Sequence, residues 1–171
     1  MKIHITLFLI HLPWIIFTQG LRYVDPAGVD TSQCDNPNFP CLTISYALAQ
    51  ANPNDTIRIS EGIFTEPAGI TIDKSIVLQG AGKLMTVLQA NEEPDSATSR
   101  VITIDGEYHV SVIGTTIRHG YASQAGVGSY GGGIYCDSAN LVLESVLINK
   151  NASETHGGGL YCSSSNITFS H

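Results

Sequence analysis

The most regular feature of the chain is a series of short apolar segments in which alternate positions are hydrophobic. Ile57 and Ile59, like Ile70 and Ile72, are separated by one residue, which is the period of a β-strand with one face turned inward. No helix-length periodic segment interrupts the series after residue 55. The pattern predicts strands over residues 56–59, 70–72, 75–78, 86–88, 101–104, 110–113, 116–117, 141–143 and 146–148.

One segment before this series has helical periodicity. Thr43 is a suitable N-cap, Ile44, Leu48 and Ala51 fall on one face, and Asn52-Pro53 ends the pattern. We therefore predict a short amphipathic helix from Ser45 to Ala51. Its expected role is to cover the apolar floor and the unpaired strand edge of the structure that follows.

A repeated phrase indicates how the strands are arranged. Gly131-Gly-Gly-Ile-Tyr-Cys136 recurs 26 residues later as Gly157-Gly-Gly-Leu-Tyr-Cys162, and the block that begins at Asn140 recurs at Asn166. A fixed period of this length is typical of stacked coils. The predicted fold is an all-β, right-handed parallel β-helix, in which the 117 residues from Asp55 to His171 form about four to five coils of roughly 25 residues.

The first twenty residues have the composition of a secretory leader. Lys2 precedes an almost wholly apolar run from Ile3 to Phe17, and small residues follow at the expected cleavage site. The run is shorter than a bilayer span needs. We predict a cleaved signal peptide over residues 1–20, a leading segment with the N-terminal cap over 21–54, and β-helix coils over 55–171. The mature segment is not expected to insert into a membrane.

The charge balance restricts the class of partner. Removal of Lys2 leaves seven basic against fifteen acidic residues, a formal charge of −8, and the basic residues form no cluster. This disfavours nucleic acid and anionic membranes. The single tryptophan, Trp14, lies in the predicted leader, so the mature chain has no indole on which a sugar ring could stack.

All four cysteines lie in the mature part, and a secreted chain with an even number of cysteines is expected to form disulfides. Cys34 and Cys41 flank a turn-rich loop stiffened by Pro37 and Pro40, which favours their pairing. Cys136 and Cys162 occupy equivalent repeat positions on strands about 4.8 Å apart, so they form either a stacked disulfide or two buried thiols. Neither pair has metal-ligand spacing, and we predict no metal site and no cofactor.

Three Asn-x-Ser/Thr motifs begin at Asn54, Asn151 and Asn166 and are candidate glycosylation sites in a secreted chain. Asn54 and Asn151 lie in predicted turns. Asn166 begins a predicted strand and is the weakest acceptor of the three. Asn140 and Asn166 share a repeat position, which predicts a stacked amide ladder.

Two stretches resemble known β-helix families. The residues from Asp55 to Thr65 and from Ile70 to Gly82 look like the opening coils of pectin-lyase-like proteins, and this resemblance covers roughly Cys41 to Leu88. The phrase Gly131-Gly-Gly-Ile134 with Ile148-Asn-Lys-Asn151 is similar to the repeat of chlamydial polymorphic outer membrane proteins. In that repeat, alanine usually stands in place of Gly133 and phenylalanine in place of Ile148. Both resemblances imply the fold rather than an activity.

Members of the pectin-lyase-like class that act on acidic polysaccharides use calcium with a basic residue, or paired carboxylates. The best candidates here are Asp105, Glu107, Arg118 and His119. Each also has a simpler interpretation: Asp105-Gly106 as a turn, Arg118 as an outward strand end, and His119 as a surface side chain. None of the catalytic signatures of pectin-cleaving enzymes is present, so we assign no catalytic residue.

The sequence therefore favours a secreted, non-catalytic, adhesin-like β-helix that binds an unknown extracellular ligand, either polysaccharide or protein. The alternative is a fragment of a polysaccharide lyase or glycoside hydrolase. His171 falls where the next turn of the repeat should begin, and no capping segment follows. An open rung exposes an unpaired strand edge, so we expect either further coils or a partner to cover it.

Overall fold

The chain coils into a right-handed parallel β-helix. The computed structural model describes residues 19–123 and 128–171, so the predicted signal peptide lies almost entirely outside the described residues. Within them are sixteen short strands, one α-helix and one 3-10 helix, Pro94–Ser96. The helix, α1, is Ile44–Gln50, and the strands are β1 Leu21–Val24, β2 Thr56–Ile59, β3 Gly62–Thr65, β4 Ile70–Ile72, β5 Ile76–Gly80, β6 Thr86–Gln89, β7 Ile102–Asp105, β8 His109–Ile113, β9 Thr116–Arg118, β10 Tyr121–Ala122, β11 Ile134–Asp137, β12 Asn140–Glu144, β13 Leu147–Asn149, β14 Ala152–Ser153, β15 Leu160–Ser163 and β16 Asn166–Ser170.

Three parallel sheets form the sides of the solenoid. Sheet A has the order β1-β2-β5-β8-β12-β16, sheet B the order β3-β6-β9-β13, and sheet C the order β4-β7-β11-β15. A small fourth sheet pairs β10 with β14. From β2 onward, and apart from the short β10 and β14, successive strands belong to sheets A, B and C in turn. The described residues after β1 therefore make four coils and the first strand of a fifth.

The coils have unequal lengths, which corrects the expectation of a constant repeat. Leu141 pairs with Ile167, a step of 26 residues, but Thr56 pairs with Val77, a step of 21, and Ile76 pairs with Val110, a step of 34. The additional residues leave the solenoid at the corner between sheets B and C, where 12 residues separate β6 from β7. Insertions at a corner do not disturb strand register.

Inward-facing side chains stack in rows along the axis. One row in sheet A runs through Ile57, Leu78, Val112 and Leu143, all fully or almost fully buried, and ends at the exposed Phe169. The other two sheets contribute similar rows of isoleucine and leucine. Because each coil buries its apolar face only against its neighbours, this stacking holds the fold together.

The N-terminal cap is fixed by polar groups at both ends of α1. The side chain of Thr43 accepts a hydrogen bond from the backbone of Tyr46, and the buried Glu66 carboxylate accepts one from Ile44 N at 2.7 Å. At the other end Lys74 donates to the carbonyls of Leu48 and Ala51. The helix contacts β1, β2 and β4, so it covers the first coil as expected, one residue earlier than predicted.

No helix among the described residues has the length and hydropathy that crossing a bilayer requires.

Candidate functional site

The outer face of sheet C carries tyrosine, threonine and aspartate side chains. Because Ile134 and Cys136 point into the core, Tyr135 between them points outward, and Tyr161 does the same on β15. Thr103 and Thr71 continue this outward row on β7 and β4. We call this surface the tyrosine face.

Three tyrosine rings on this face lie nearly parallel. Tyr130 and Tyr161 have ring centroids 4.5 Å apart with an interplanar angle of 16°, and Tyr135 and Tyr161 are 5.9 Å apart at 12°. His156 lies 5.7 Å from Tyr130. The sequence holds a signal for this stack, because Tyr135 and Tyr161 occupy the same position of the repeated glycine phrase.

Arg100 lies over this stack. Its guanidinium carbon is 5.1 Å from the centroid of the Tyr135 ring, a cation–π distance. Its Nε donates to the carbonyl of Tyr130 at 2.7 Å, and Nη2 donates to the carbonyl of Gly128. Among the residues that the structure describes, no carboxylate lies within 4.0 Å of this cation. Burial lowers the pKa of Arg100, and the Tyr135 phenol opposes that shift.

Burial and neighbouring charges both shift the pKa of Tyr135. Burial raises the pKa of Tyr135, and the negative charges of Asp137 and Asp105 raise it further, while Arg100 acts in the opposite direction. The two aspartates are paired positions on β11 and β7 and point to the same side as the tyrosines. The face thus combines a neutral phenol, a cation and two adjacent carboxylates.

A polar cleft of about 170 Å³ adjoins the tyrosine face. Its lining contributes hydroxyl groups and the Arg100 guanidinium, from Thr98, Ser99, Arg100, Thr103, Tyr121 and Ser123. The hydroxyl of Ser99 donates to the Pro67 carbonyl, and that of Tyr121 donates to Glu154, so some of these groups are already oriented. Aromatic surface next to several hydroxyls suits a ligand with both apolar faces and many hydroxyl groups.

The four candidates from the sequence do not form one cluster. Asp105 and Glu107 are exposed near the corner between sheets C and A, whereas Arg118 and His119 lie at the end of β9 in sheet B. Arg118 Nε donates to Gln89 at 3.0 Å. His119 is only 5% exposed, with Nδ1 3.2 Å from the Asn91 carbonyl, so its interpretation as a surface side chain is wrong. Its backbone adopts a corner conformation with φ of 56°, which turns the ring beneath the long loop after β6.

The structure joins Cys34 to Cys41 by a disulfide, with Cα atoms 5.3 Å apart, and has Cys136 and Cys162 as free thiols. The last two are register partners on β11 and β15. Within the described ranges, no group of three histidine, cysteine or acidic side chains is arranged to hold a metal ion.

The three candidate glycosylation sites differ in their surroundings. Asn54 is exposed in a turn. Asn151 is half-buried, and both ends of its amide bond the preceding coil: Oδ1 accepts from Gly120 N and Nδ2 donates to the Ile117 carbonyl. Asn166 Nδ2 donates to Asn140 Oδ1 at 2.9 Å, which is the amide ladder that the repeat predicts.

No protein-family model and no curated protein sequence matches the chain. Among solved structures, the chain is similar to pectin methylesterase PemA from Erwinia chrysanthemi, with a TM-score of 0.58 and 20% identity over 89% of this chain and 48% of that one. It is also similar to a pectin methylesterase variant in complex with hexasaccharide IV, with a TM-score of 0.59 and 19% identity over 90% of this chain and 48% of that one. A pectin methylesterase with hexasaccharide VII gives a TM-score of 0.56 and 19% identity, covering 89% and 50%.

The chain thus spans about half the length of these structures. At such low identity the likeness concerns the fold alone, the parallel β-helix, and the comparisons do not show the likeness to the chlamydial repeat.

Proposed function

We propose that this protein is a secreted, non-catalytic β-helix scaffold that binds an extracellular saccharide on the tyrosine face. The observation that carries the proposal is the stack of Tyr130, Tyr135 and Tyr161 beside Arg100 and a hydroxyl-lined cleft.

The chemistry of the face matches that of a sugar. A pyranose ring presents apolar C–H faces that pack on aromatic rings, and its rim of hydroxyls needs donors and acceptors. Tyr161 and Tyr130 are half-exposed and supply ring surface, while Arg100, Thr103 and Ser99 supply polar groups at the cleft. The tyrosines therefore provide the stacking surface for which the sequence offered no tryptophan.

Secretion and an adhesin-like role belong to the same proposal. The apolar leader over residues 1–20 and the Cys34–Cys41 disulfide favour an oxidising, extracellular location. Two of the similar solved structures are complexes with hexasaccharides, which favours a saccharide over a protein ligand. Of the three glycosylation candidates, Asn54 is the best acceptor, because it is exposed and its side-chain amide makes no hydrogen bond within the described residues.

The alternative is that the chain is part of an enzyme acting on polysaccharide. One observation favours it: Asp105 and Asp137 are register partners on parallel strands about 4.8 Å apart, face outward and raise the pKa of Tyr135. Two adjacent carboxylates are the usual means of acid and base catalysis in glycoside hydrolysis. The group Asp105, Glu107 and Arg118 does not support it, because Asp105 and Glu107 lie at one corner and Arg118 lies at another.

Binding to a panel of neutral and acidic polysaccharides, measured by affinity electrophoresis and calorimetry, tests the favoured proposal. Tyr161→Ala removes ring surface and should weaken binding at least tenfold, about 1.4 kcal/mol. Tyr161→Phe keeps the ring and is the matched control, expected to bind nearly as well as the native chain. Binding unaffected by Tyr161→Ala, or no binding to any polysaccharide, contradicts the proposal.

An activity assay separates the two candidates. The native chain is incubated with polygalacturonate and its methyl ester in the presence of calcium, and unsaturated products, reducing ends and released methanol are measured. The binding scaffold predicts no turnover. If the native chain turns over one of these substrates, and Asp105→Asn or Asp137→Asn abolishes that turnover while saccharide binding is retained, the enzyme replaces the binding scaffold as the proposed function.

A further inference from the structure

We propose that Cys136 and Cys162 are an oxidation site at which a small disulfide, such as glutathione disulfide, joins the last two described coils covalently. This goes beyond the proposed function and does not depend on it. The proposal is carried by the register of the two strands and by the accessibility of one of the two sulfurs.

The backbone already holds the two cysteines at disulfide range. Cys136 and Cys162 are direct partners in the parallel pairing of β11 with β15. Paired parallel strands lie about 4.8 Å apart, within the roughly 4.4 to 6.8 Å that disulfides span between Cα atoms. The Cβ atoms of a disulfide lie about 3.5–4.5 Å apart, so closure must draw the strands slightly together. β15 is the edge strand of sheet C and is half-exposed along its length, so it has the freedom to move.

The two sulfurs interact and share the loss of a proton. The hydrogen bond from Cys162 lowers the pKa of Cys136 to about 6, although burial opposes this, and Ser165 and the backbone of Ala139 assist. The same hydrogen bond raises the pKa of Cys162. The pair therefore reaches a thiolate state by losing one proton near neutral pH, and a thiolate is the form that attacks disulfides.

Access differs between the two sulfurs. Cys136 is fully buried, whereas Cys162 is half-exposed. The first proton is lost from Cys136, and transfer of the Cys162 proton to Cys136 along their hydrogen bond then gives the Cys162 thiolate. This thiolate attacks one sulfur of glutathione disulfide and expels one glutathione thiolate. Cys136 then loses its proton and attacks the Cys162 sulfur of the mixed disulfide, expelling the second glutathione. Two protein thiols and one small disulfide become one protein disulfide and two small thiols.

The bridge would secure the edge of sheet C. Tyr135 and Tyr161 directly precede the two cysteines and point to the opposite side of the sheet, so a covalent link between β11 and β15 also fixes the spacing of the stacked rings. Backbone amides of Leu160 to Ser163 should then exchange with solvent more slowly in the oxidised chain.

The test equilibrates the native chain with glutathione buffers from reducing to oxidising, at ratios that leave Cys34–Cys41 intact. We expect the intact mass to fall by two hydrogens without a retained adduct, and a peptide map to show Cys136 linked to Cys162. Hydrogen exchange at residues 160–163 should slow, and excess reduced glutathione should reverse both changes. Cys136→Ala is the matched variant, expected to accumulate a glutathione adduct on Cys162.

Three results would overturn the proposal. These are two thiols that persist in the native chain under oxidising buffer, a stable glutathione adduct on native Cys162 without closure, and a bridge that leaves exchange at residues 160–163 unchanged. The mass measurement involves no saccharide, so its failure leaves the binding proposal standing, and the reverse also holds.

Discussion

At the scale of single residues, the surroundings of Tyr135 raise the pKa of its hydroxyl group. Burial is the largest cause of its raised pKa, followed by Asp137 and Asp105. In the unfolded chain the phenol titrates near its ordinary value of about 10. Between that pH and the higher folded pKa, the unfolded chain releases a proton that the folded chain retains. Stability from this site is therefore complete below pH about 10 and decreases as the pH rises through the window.

Tyr135→Phe should flatten this alkaline loss of stability, because it removes the phenol whose pKa differs between the two states. The measurement is urea unfolding at a series of alkaline pH values, together with phenolate absorbance of the folded chain. The slope should be reduced rather than abolished, since the pKa of Tyr121 is also raised by burial and by Glu154. A variant with the native slope would show that Tyr135 is not held in its neutral form.

At the scale of the strand and its corner, the repeated glycine phrase lies where neighbouring coils approach each other closely. A Cβ on Gly133 would overlap the carbonyl oxygen of Gly159 and lie 2.8 Å from Nδ2 of Asn151. Gly159, its equivalent one coil later, would bring a Cβ no closer than 3.2 Å to a methyl group of Ile148. The two positions have the same place in the repeat, but within the described residues only Gly133 has a coil stacked on it.

Gly133→Ala should therefore lower the free energy of unfolding by about 1–3 kcal/mol. Gly159→Ala, the matched control, should change it by less than about 0.5 kcal/mol. Both substitutions restrict the unfolded chain alike, so their difference isolates the contact between coils. Chemical denaturation of the two variants measures it, and equal effects would mean that β15 moves aside to accommodate the new methyl group.

The same elements show what sequence reasoning reaches. Alternation predicted β2, β4 and β8 because one face of each strand is buried, and the repeated phrase predicted the stacking of Cys136 on Cys162. Alternation did not give bounds for β11 or β15, although the repeat places Cys136 and Cys162 on paired strands. The long segment between β6 and β7 cannot be predicted from periodicity, because an insertion at a corner does not change the spacing of hydrophobic residues within the strands. For the same reason, the sequence does not predict that His119 lies beneath this segment.

Only part of the tyrosine face can be predicted from the sequence. Equal repeat positions placed Tyr135 and Tyr161 on adjacent strands, but nothing in the sequence brought Arg100 over the ring, because that contact depends on where the corner loops return. Asp105 was singled out with Arg118 by proximity in the chain, whereas its neighbour in space is Asp137, on the next coil. In a solenoid the partners of a residue lie a coil away rather than a few residues away.

At the scale of the whole molecule, the rows of inward side chains lose their cover toward the last strand. Leu143 is 2% exposed, and its row partner Phe169 is 67% exposed. The backbone edges of β13, β15 and β16 are unpaired on the same side within the described residues. Apolar side chains beside open strand edges favour strand addition from another chain.

The 171-residue chain should therefore self-associate through this surface as its concentration rises, because pairing the edges removes Phe169 and its neighbours from water. Sedimentation velocity over a concentration series measures the association. Phe169→Lys should weaken it by placing a charge at the centre of the contact, at little cost to folding since the ring is already exposed. Leu84→Lys is the matched control: Leu84 is 85% exposed, lies in the turn between β5 and β6, and should leave association unchanged. A chain that remains monomeric throughout, or one that Leu84→Lys dissociates equally well, would show that the open edge is not the contact.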